Sequence, residues 1–213
     1  MNLPRTNIFF DTEFTGLHQN TTLISFGAIS EGGSIFYEEL NDYDESQVDG
    51  WIRDNVINNL YKPASISIDE LKYKLGLWLR QFDAPIMMWT DCGAYDWVLF
   101  CELWGGSINL PEWISYIPGD ICTMFHNARI DPDINRISYS GIDQHEDYES
   151  SKHLMKHNAL FDAQVTRLCY NKLMNQQESN LVLQKLAVSR DSLSARTSTE
   201  VPKEELEKYG TKN

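Results

Sequence analysis

Apolar positions along this chain fall into runs of two distinct periods. Ile8-Phe9-Phe10 is a continuous apolar run that closes on Asp11-Thr12-Glu13, and it predicts a strand over about Asn7 to Glu13. A turn containing Gly16 leads into Thr22–Ser30, where Leu23-Ile24-Phe26-Ala28-Ile29 again has strand character. Gly32-Gly33 then turns the chain into Ser34–Leu40. Two short hairpin-like connections in succession predict an antiparallel meander.

The period then lengthens. Trp51, Ile52, Val56, Ile57 and Leu60 share helical spacing, with Pro63 just past the end. Ser67-Ile68-Asp69-Glu70 forms a capping box, opening a helix through Leu71, Leu75, Trp78 and Leu79. Pro85-Ile86-Met87-Met88-Trp89-Thr90 reads as a short buried strand, and Tyr95 to Trp104 as a helix stopped by Gly105-Gly106. Residues 127–151 are polar and rich in Asp, Ser and Tyr, which predicts a loop. Asn158 to Met174 returns to helical spacing through Leu160, Phe161, Val165, Leu168 and Leu173. Beyond Met174 the chain turns polar, apart from Leu181-Val182-Leu183 and Leu186-Ala187-Val188. The expected organisation is one domain over 1–174 and a polar extension over 175–213, helical in part. Strands first, then helices alternating with strands, make the fold class α/β in layers.

At 213 residues the chain is long enough to bury a full core, and its six Trp and ten Tyr argue against disorder. Neither a secretory leader pattern nor a run of about 18 apolar residues occurs, so a cytoplasmic, soluble protein with no membrane partner is expected. Cys92, Cys101, Cys122 and Cys169 have neither CxxC spacing nor a zinc pattern, and read as reduced thiols. The net charge is −13. Before residue 175 there are 25 acids and 12 bases, and after it six of each. Such a chain is unsuited to gripping long nucleic acid through many phosphates, yet it can act on an end held in a small metal-loaded pocket.

That charge gives the strand end its interest. Residues i and i+2 of a strand share a face, so Asp11 and Glu13 project together. Two carboxylates there repel each other and are costly to desolvate without a cation, for which Mg²⁺ or Mn²⁺ is the simplest choice. Taken alone, the pair equally describes an ordinary solvated strand end. Asp96 opens a helix behind the buried strand, and Asp162 lies early in the last strong helix, with His157 just ahead of it. Asp91 is the alternative third acid, although it also suits a turn or cap. Asp120 reads as structural. His18, His126, His145 and His153 read as ordinary hydrogen-bonding histidines. Phe14 and Leu17 directly follow the acids and are candidates to pack on a terminal base, with core packing an equal alternative for Phe14. Trp97 and Trp104 read as helix core. Lys152, Lys156, Arg129 and Arg136 are candidate phosphate contacts, most of them expected to be solvated.

Together Asp11-Thr12-Glu13, Tyr95-Asp96 and His157-x-x-x-x-Asp162-Ala163 resemble the DEDDh branch of the DEDD 3′-5′ exonuclease superfamily. The chain is most similar to its RNase AS group of exoribonucleases, associated with adenylate-rich RNA. That similarity runs through Asp11-Thr12-Glu13-Phe14, Leu23-Ile24-Ser25-Phe26-Gly27, Trp51-Ile52-Arg53, Gly93-Ala94-Tyr95-Asp96, Leu103-Trp104-Gly105 and His157 to Ala163. It spans about residues 7 to 173, with no counterpart after about 175 and no clear alignment over 127–151.

The resemblance implies an RNase H-like mixed sheet flanked by helices, two divalent metal ions, Mg²⁺ or Mn²⁺, and a homodimer. It implies Asp11, Glu13, Asp96 and Asp162 as metal ligands, four negative charges against the four positive charges of two such ions. It implies His157 as general base, a task that the ordinary imidazole pKa of about 6.5 suits. The expected partner is an RNA 3′ end, single-stranded or short. DNA is an alternative substrate because no motif reveals a contact to the 2′-OH. A non-catalytic nucleic-acid-binding protein is a further alternative.

Overall fold

In the computed structural model the described residues are 6–61, 66–82, 85–146, 148 and 157–197, with side chains of the last helix described as far as 178. Strand β1 (Thr6–Phe14) is the centre of a five-stranded sheet of order β3-β2-β1-β4-β5. It pairs antiparallel with β2 (Leu23–Ser30), which pairs antiparallel with β3 (Ile35–Glu39). On its other side it runs parallel to β4 (Ile86–Thr90), and β4 runs parallel to β5 (Gly119–Asp120). This is the expected meander extended into a mixed sheet.

Ile8, Phe9 and Phe10 are wholly buried because both faces of β1 are covered. On one face Ile8 and Phe10 pack with Leu71, Leu75 and Leu79 of helix α2 (Ile68–Leu79) and with Phe100 of α3 (Asp96–Glu102). On the other, Phe9 and Ile29 meet Ala163 of the last helix. The predicted capping box opens α2, with Ser67 N–H donating to Glu70 Oε2 at 3.0 Å and Glu70 N–H to Ser67 Oγ at 3.4 Å.

Elsewhere the elements depart from expectation. Helical structure after Trp51 is short: α1 (Gly50–Asn55) gives way to a 3₁₀ turn, Ile57–Asn59. The segment expected as loop holds the end of α4 (Ile121–Asn127), all of α5 (Arg136–Ser140) and a 3₁₀ turn at Ile142–Gln144. Asn135 caps α5 by accepting from Ser138 N–H at 3.0 Å, and Gly141 ends it in the left-handed conformation at φ 82°. The last helix, α6 (Ala159–Thr197), runs far past the apolar pattern, through a sequence free of Gly and Pro.

The chain divides into two compact units, Met1–Leu173 and Met174–Asn213. In the first, β2 lies so close to the start of α6 that a Cβ on Gly27 would sit 2.2 Å from the Ala159 carbonyl carbon. Only glycine fits there, and that close approach brings α6 onto the sheet beside β1. Side chains from Leu181 to Val188 lie outside the described residues. No described helix is long and apolar enough to cross a membrane.

Candidate active site

The site lies where β1 outruns its parallel neighbour. Pairing with β4 ends at Phe9 and Trp89, while β1 continues to Phe14 with support from β2 alone. The carboxyl ends of parallel strands are a common place for ligands in α/β sheets. Alternation puts Asp11 and Glu13 on the Phe9 face, which α6 covers, and Thr12 on the opposite face. Asp162, in the first turn of α6, therefore meets Asp11 and Glu13 directly. One carboxylate oxygen from each of the three lies within 4.8 Å of the other two.

Asp96 arrives from beneath. It opens α3 on the other face of the sheet and is wholly buried. Its Oδ1 accepts from Thr12 N–H at 3.2 Å and from the Thr12 hydroxyl at 2.6 Å, and its Oδ2 accepts from the Thr90 hydroxyl. The fourth expected acid thus borders the site but stands outside the close group of three.

Electrostatics reflect this crowding. Burial pushes Asp11 and Glu13 well above the usual carboxylate range. Asp96 and Asp162 raise Asp11 further, and Asp162 and Asp96 raise Glu13. Asp162 is pushed up to about 7 by burial, then by the charges of Asp91 and Asp96. Asp96 rises only to about 6, because hydrogen bonds from Thr12 and Thr90 oppose the effect of burial. Among the described residues the ion pairs are Lys74–Glu38 and Arg136–Asp91, so no basic side chain pairs with this cluster. An all-oxygen set of converging carboxylates with raised proton affinity fits a hard divalent cation.

A cavity of about 470 Å³ opens above the acids, with Phe14, Leu17, Trp51 and His157 among its walls. His157 holds a left-handed backbone at φ 51° two residues before α6. Asn158 caps that helix, its Oδ1 accepting from Phe161 N–H at 3.1 Å. Phe14 stacks on Tyr95 at 5.2 Å and 17°, and Leu17 stands 74% exposed at the rim. Both candidate base contacts therefore line the cavity, with one face of Phe14 already engaged.

Several sequence expectations resolve differently. Asp91 is committed to Arg136, whose Nη2 lies 2.8 Å from Asp91 Oδ1, so this arginine is not the solvated phosphate contact considered for it. Asp120 caps α4 through Cys122 N–H and Thr123 N–H, as a structural residue would. Trp97 stacks on Phe100, Trp104 meets the same ring edge-on, and both pack with the core. Lys152, Lys156 and His153 lie outside the described residues. Cys92 lines the cavity, but burial and the charges of Asp96 and Asp91 push its thiol to about 11, which keeps it protonated at neutral pH. Sequence reasoning missed the cavity role of Trp51, 53% exposed and edge-on to His157 with ring centroids 5.0 Å apart. The signal was its place opposite the Ile52 and Val56 stripe of α1. It also missed Thr12 and Thr90, the hydroxyls that anchor Asp96.

The family model of the 3′-5′ exoribonuclease Rv2179c-like domain matches residues 6–174. Two curated relatives from Mycobacterium tuberculosis are similar to this chain. They are the 3′-5′ exoribonuclease Rv2179c (strain ATCC 25618 / H37Rv) and the 3′-5′ exoribonuclease MT2234.1 (strain CDC 1551 / Oshkosh). Each is 33% identical over 111 residues, which is 50% of this chain and 66% of the relative. The match thus stops just short of two thirds of their length. A solved structure described as 3′-end specific recognition of histone mRNA stem-loop by 3′-exonuclease superposes with a TM-score of 0.55. It covers 80% of this chain and 64% of that one at 13% identity, a likeness of fold. The fold is the RNase H-like one of such exonucleases.

Proposed function

The chain belongs to the 3′-5′ exoribonuclease Rv2179c-like family, and on that premise we propose that it is a metal-dependent 3′-5′ exoribonuclease. Its reaction releases nucleoside 5′-monophosphates from RNA 3′ ends. The observation that carries this reading is the convergence of Asp11, Glu13 and Asp162 within 4.8 Å, without a basic partner among the described residues.

Asp11, Glu13 and Asp162 would hold the metal ions, and Asp96 would contribute from beneath the strand. Its oxygens accept from Thr12 and Thr90, yet a carboxylate has about four acceptor positions, which leaves it capacity for a metal. Two divalent ions, Mg²⁺ or Mn²⁺, supply when bound an activated water and stabilisation of charge on the leaving oxygen. His157, at the cavity wall, is placed to take a proton from the attacking water. Phe14 and Leu17 pack on the terminal base, where stacking of this kind is worth roughly 1–3 kcal/mol. The acids outside the site repel RNA phosphates and favour action on short ends.

Closeness to the RNase AS group, with its preference for adenylate-rich RNA and its homodimer, belongs to the same proposal and rests on the shared motifs. The free thiols of Cys92, Cys101, Cys122 and Cys169 suit work in a reducing cytoplasm. The division of labour between 1–174, carrying the catalytic unit, and 175–213 is likewise proposed.

The test is trimming of a 5′-labelled oligoadenylate beside its DNA twin, with Mn²⁺ or EDTA, by wild type and Asp11→Asn. A ladder of shortened RNA that disappears with EDTA and with the substitution is the expected result. A ladder on DNA alone would reassign the substrate. Absence of cleavage on both polymers would leave a binding role.

A further inference from the structure

We propose that Trp51 is a positioning residue whose indole fixes the His157 imidazole over the carboxylate cluster. This rests on the reading of His157 as general base.

The two residues reach the cavity from opposite supports. Trp51 sits on α1, which Asp49 caps by accepting from Ile52 N–H at 2.8 Å. Ile52 and Val56 of the same stretch are buried against Ile24 of β2, so the α1 platform is tied to the strand beside β1. His157 comes from the other side, two residues before α6. Its neighbour Asn158 is nearly fully buried and held at both ends of its side chain. Asn158 Oδ1 accepts from Phe161 N–H, and its Nδ2 donates to the Tyr37 hydroxyl at 3.1 Å.

The backbone of His157 is thus anchored from its C-terminal side, in a left-handed conformation uncommon for a residue with a Cβ. Such conformations persist where surrounding structure over-determines them, and they gather at active sites. Backbone anchorage does not choose the imidazole rotamer. Trp51 bears on it directly: the rings lie 5.0 Å apart at 69°, the edge-to-face arrangement that aromatic quadrupoles favour. An indole carried on a helix whose Ile52 is buried against Ile24 is a wall for a side chain that must meet a water within hydrogen-bond reach.

Trp51 is 53% exposed, so its ring is open to solvent. It also stands on the cavity wall, where a base-stacking platform would stand. The two roles separate in kinetics. A stacking platform binds substrate before and during reaction, so its loss raises KM. A positioning residue acts on the proton transfer, so its loss lowers kcat.

The deciding experiment measures kcat and KM on oligoadenylate with Mn²⁺ for wild type, Trp51→Ala, Trp51→Phe, His157→Ala and the double variant Trp51→Ala/His157→Ala. Thermal melts run alongside to confirm folding. General bases contribute about 10²–10⁴ in rate, so a misplaced one is expected to cost about 10–100-fold in kcat. KM is expected to stay within about twofold for Trp51→Ala, and Trp51→Phe, which keeps a ring against the imidazole, to restore most of kcat. In the His157→Ala background the Trp51 substitution is expected to cost nothing further, because residues acting as one unit are non-additive.

A second readout needs no catalysis. In metal-free protein the His157 ring-proton resonances are expected displaced by the indole ring current, and moved toward the free-imidazole position in Trp51→Ala. A raised KM with unchanged kcat, a loss that multiplies with His157→Ala, or unmoved His157 resonances would each overturn the proposal. A fully active His157→Ala would remove the general-base reading itself, and the positioning role with it.

Discussion

Two groups of acids stand at the same end of this sheet and meet opposite fates. Asp91, just past β4, accepts from Arg136 Nε at 3.0 Å and from Nη2 at 2.8 Å, a two-pronged ion pair. That arginine is itself pinned by the carbonyls of Pro132 and Ile134, and its guanidinium lies 4.8 Å over the Phe125 ring. Asp11, Glu13 and Asp162 share the neighbourhood but have no basic partner among the described residues. The fold supplies a cation to the acid that ties β4 to α5 and withholds one from the acids at the cavity. A paired carboxylate keeps its charge as structure. A crowded, unpaired set holds high affinity for protons and for any divalent ion that replaces them.

The largest expected effect sets one acid from each group against the other. Glu13→Gln keeps the shape of the side chain and removes a charge, and it is expected to lower the rate of RNA trimming about 10³-fold, equivalent to about 4 kcal/mol. Asp91→Asn is expected to lower it less than about tenfold while weakening the fold. Trimming rates for the two variants at saturating Mn²⁺ check this, and equal losses would erase the distinction drawn between the groups.

Stability should show the reverse order. Arg136→Met removes the cation and leaves Asp91 unpaired beside the raised carboxyls of Asp11 and Asp162. Both partners of the pair are largely shielded, with side-chain exposures of 17% and 30%. The expected cost is about 3 kcal/mol, measured by chemical denaturation of metal-free protein. Combining it with Asp91→Leu should recover part of that loss, because the double variant leaves no unpaired charge behind. If Arg136→Met proves as stable as wild type, the arginine is not the structural cation.

How much of this was legible before the structure varies residue by residue. Asp11 and Glu13 follow from strand alternation alone, and the apolar runs delivered the sheet around them. Asp162 was legible from the motif, but its contact with Asp11 required α6 to lie against β2 at Gly27, a tertiary event. The separate station of Asp96 was not legible. It depends on α3 covering the face opposite α6, and on two threonine hydroxyls drawn from different strands. Arg136 and Asp91 are far apart in sequence, so no local pattern could join them. Helix α5 carried its own signals in Asn135 and Gly141, which a polar composition obscured. The length of α6 was written in the absence of Gly and Pro, whereas reading for an apolar stripe ended it at Met174.

Metal addition sharpens the same comparison. An ion that binds the folded cluster and not the unfolded chain stabilises by mass action, by about 2.7 kcal/mol at a hundredfold excess over Kd. Mn²⁺ is therefore expected to raise the melting temperature of wild type and of Asp91→Asn, and EDTA to reverse the gain. In Asp162→Asn the shift should vanish. A metal-induced rise that survives in Asp162→Asn would locate the binding elsewhere.

Proton binding gives the smallest effect and the most direct view of the crowding. Asp162 titrates at about 7 in the folded protein and near 3.9 when unfolded, so the folded state holds its proton more tightly. Below about pH 4 both states are protonated and the site costs the fold nothing. As pH rises from about 4 to 7 the unfolded chain releases the proton first, and metal-free stability falls through that window. Asp162→Asn has no proton to lose there. Its stability relative to wild type should climb with pH and level off above about 7, by on the order of 2 kcal/mol. That figure is less than the full shift implies, because Asp11 and Glu13 take up part of the proton binding when Asp162 is gone. Asp91→Asn should show a different profile. It removes a charge that raises Asp162 but also breaks a pair with Arg136, and the loss of the pair persists across the window. Denaturation of the three metal-free proteins from pH 4 to 8 reads out the difference. A flat Asp162→Asn difference would mean the carboxylates are relieved by a cation of the protein's own, and the contrast with Asp91 would collapse.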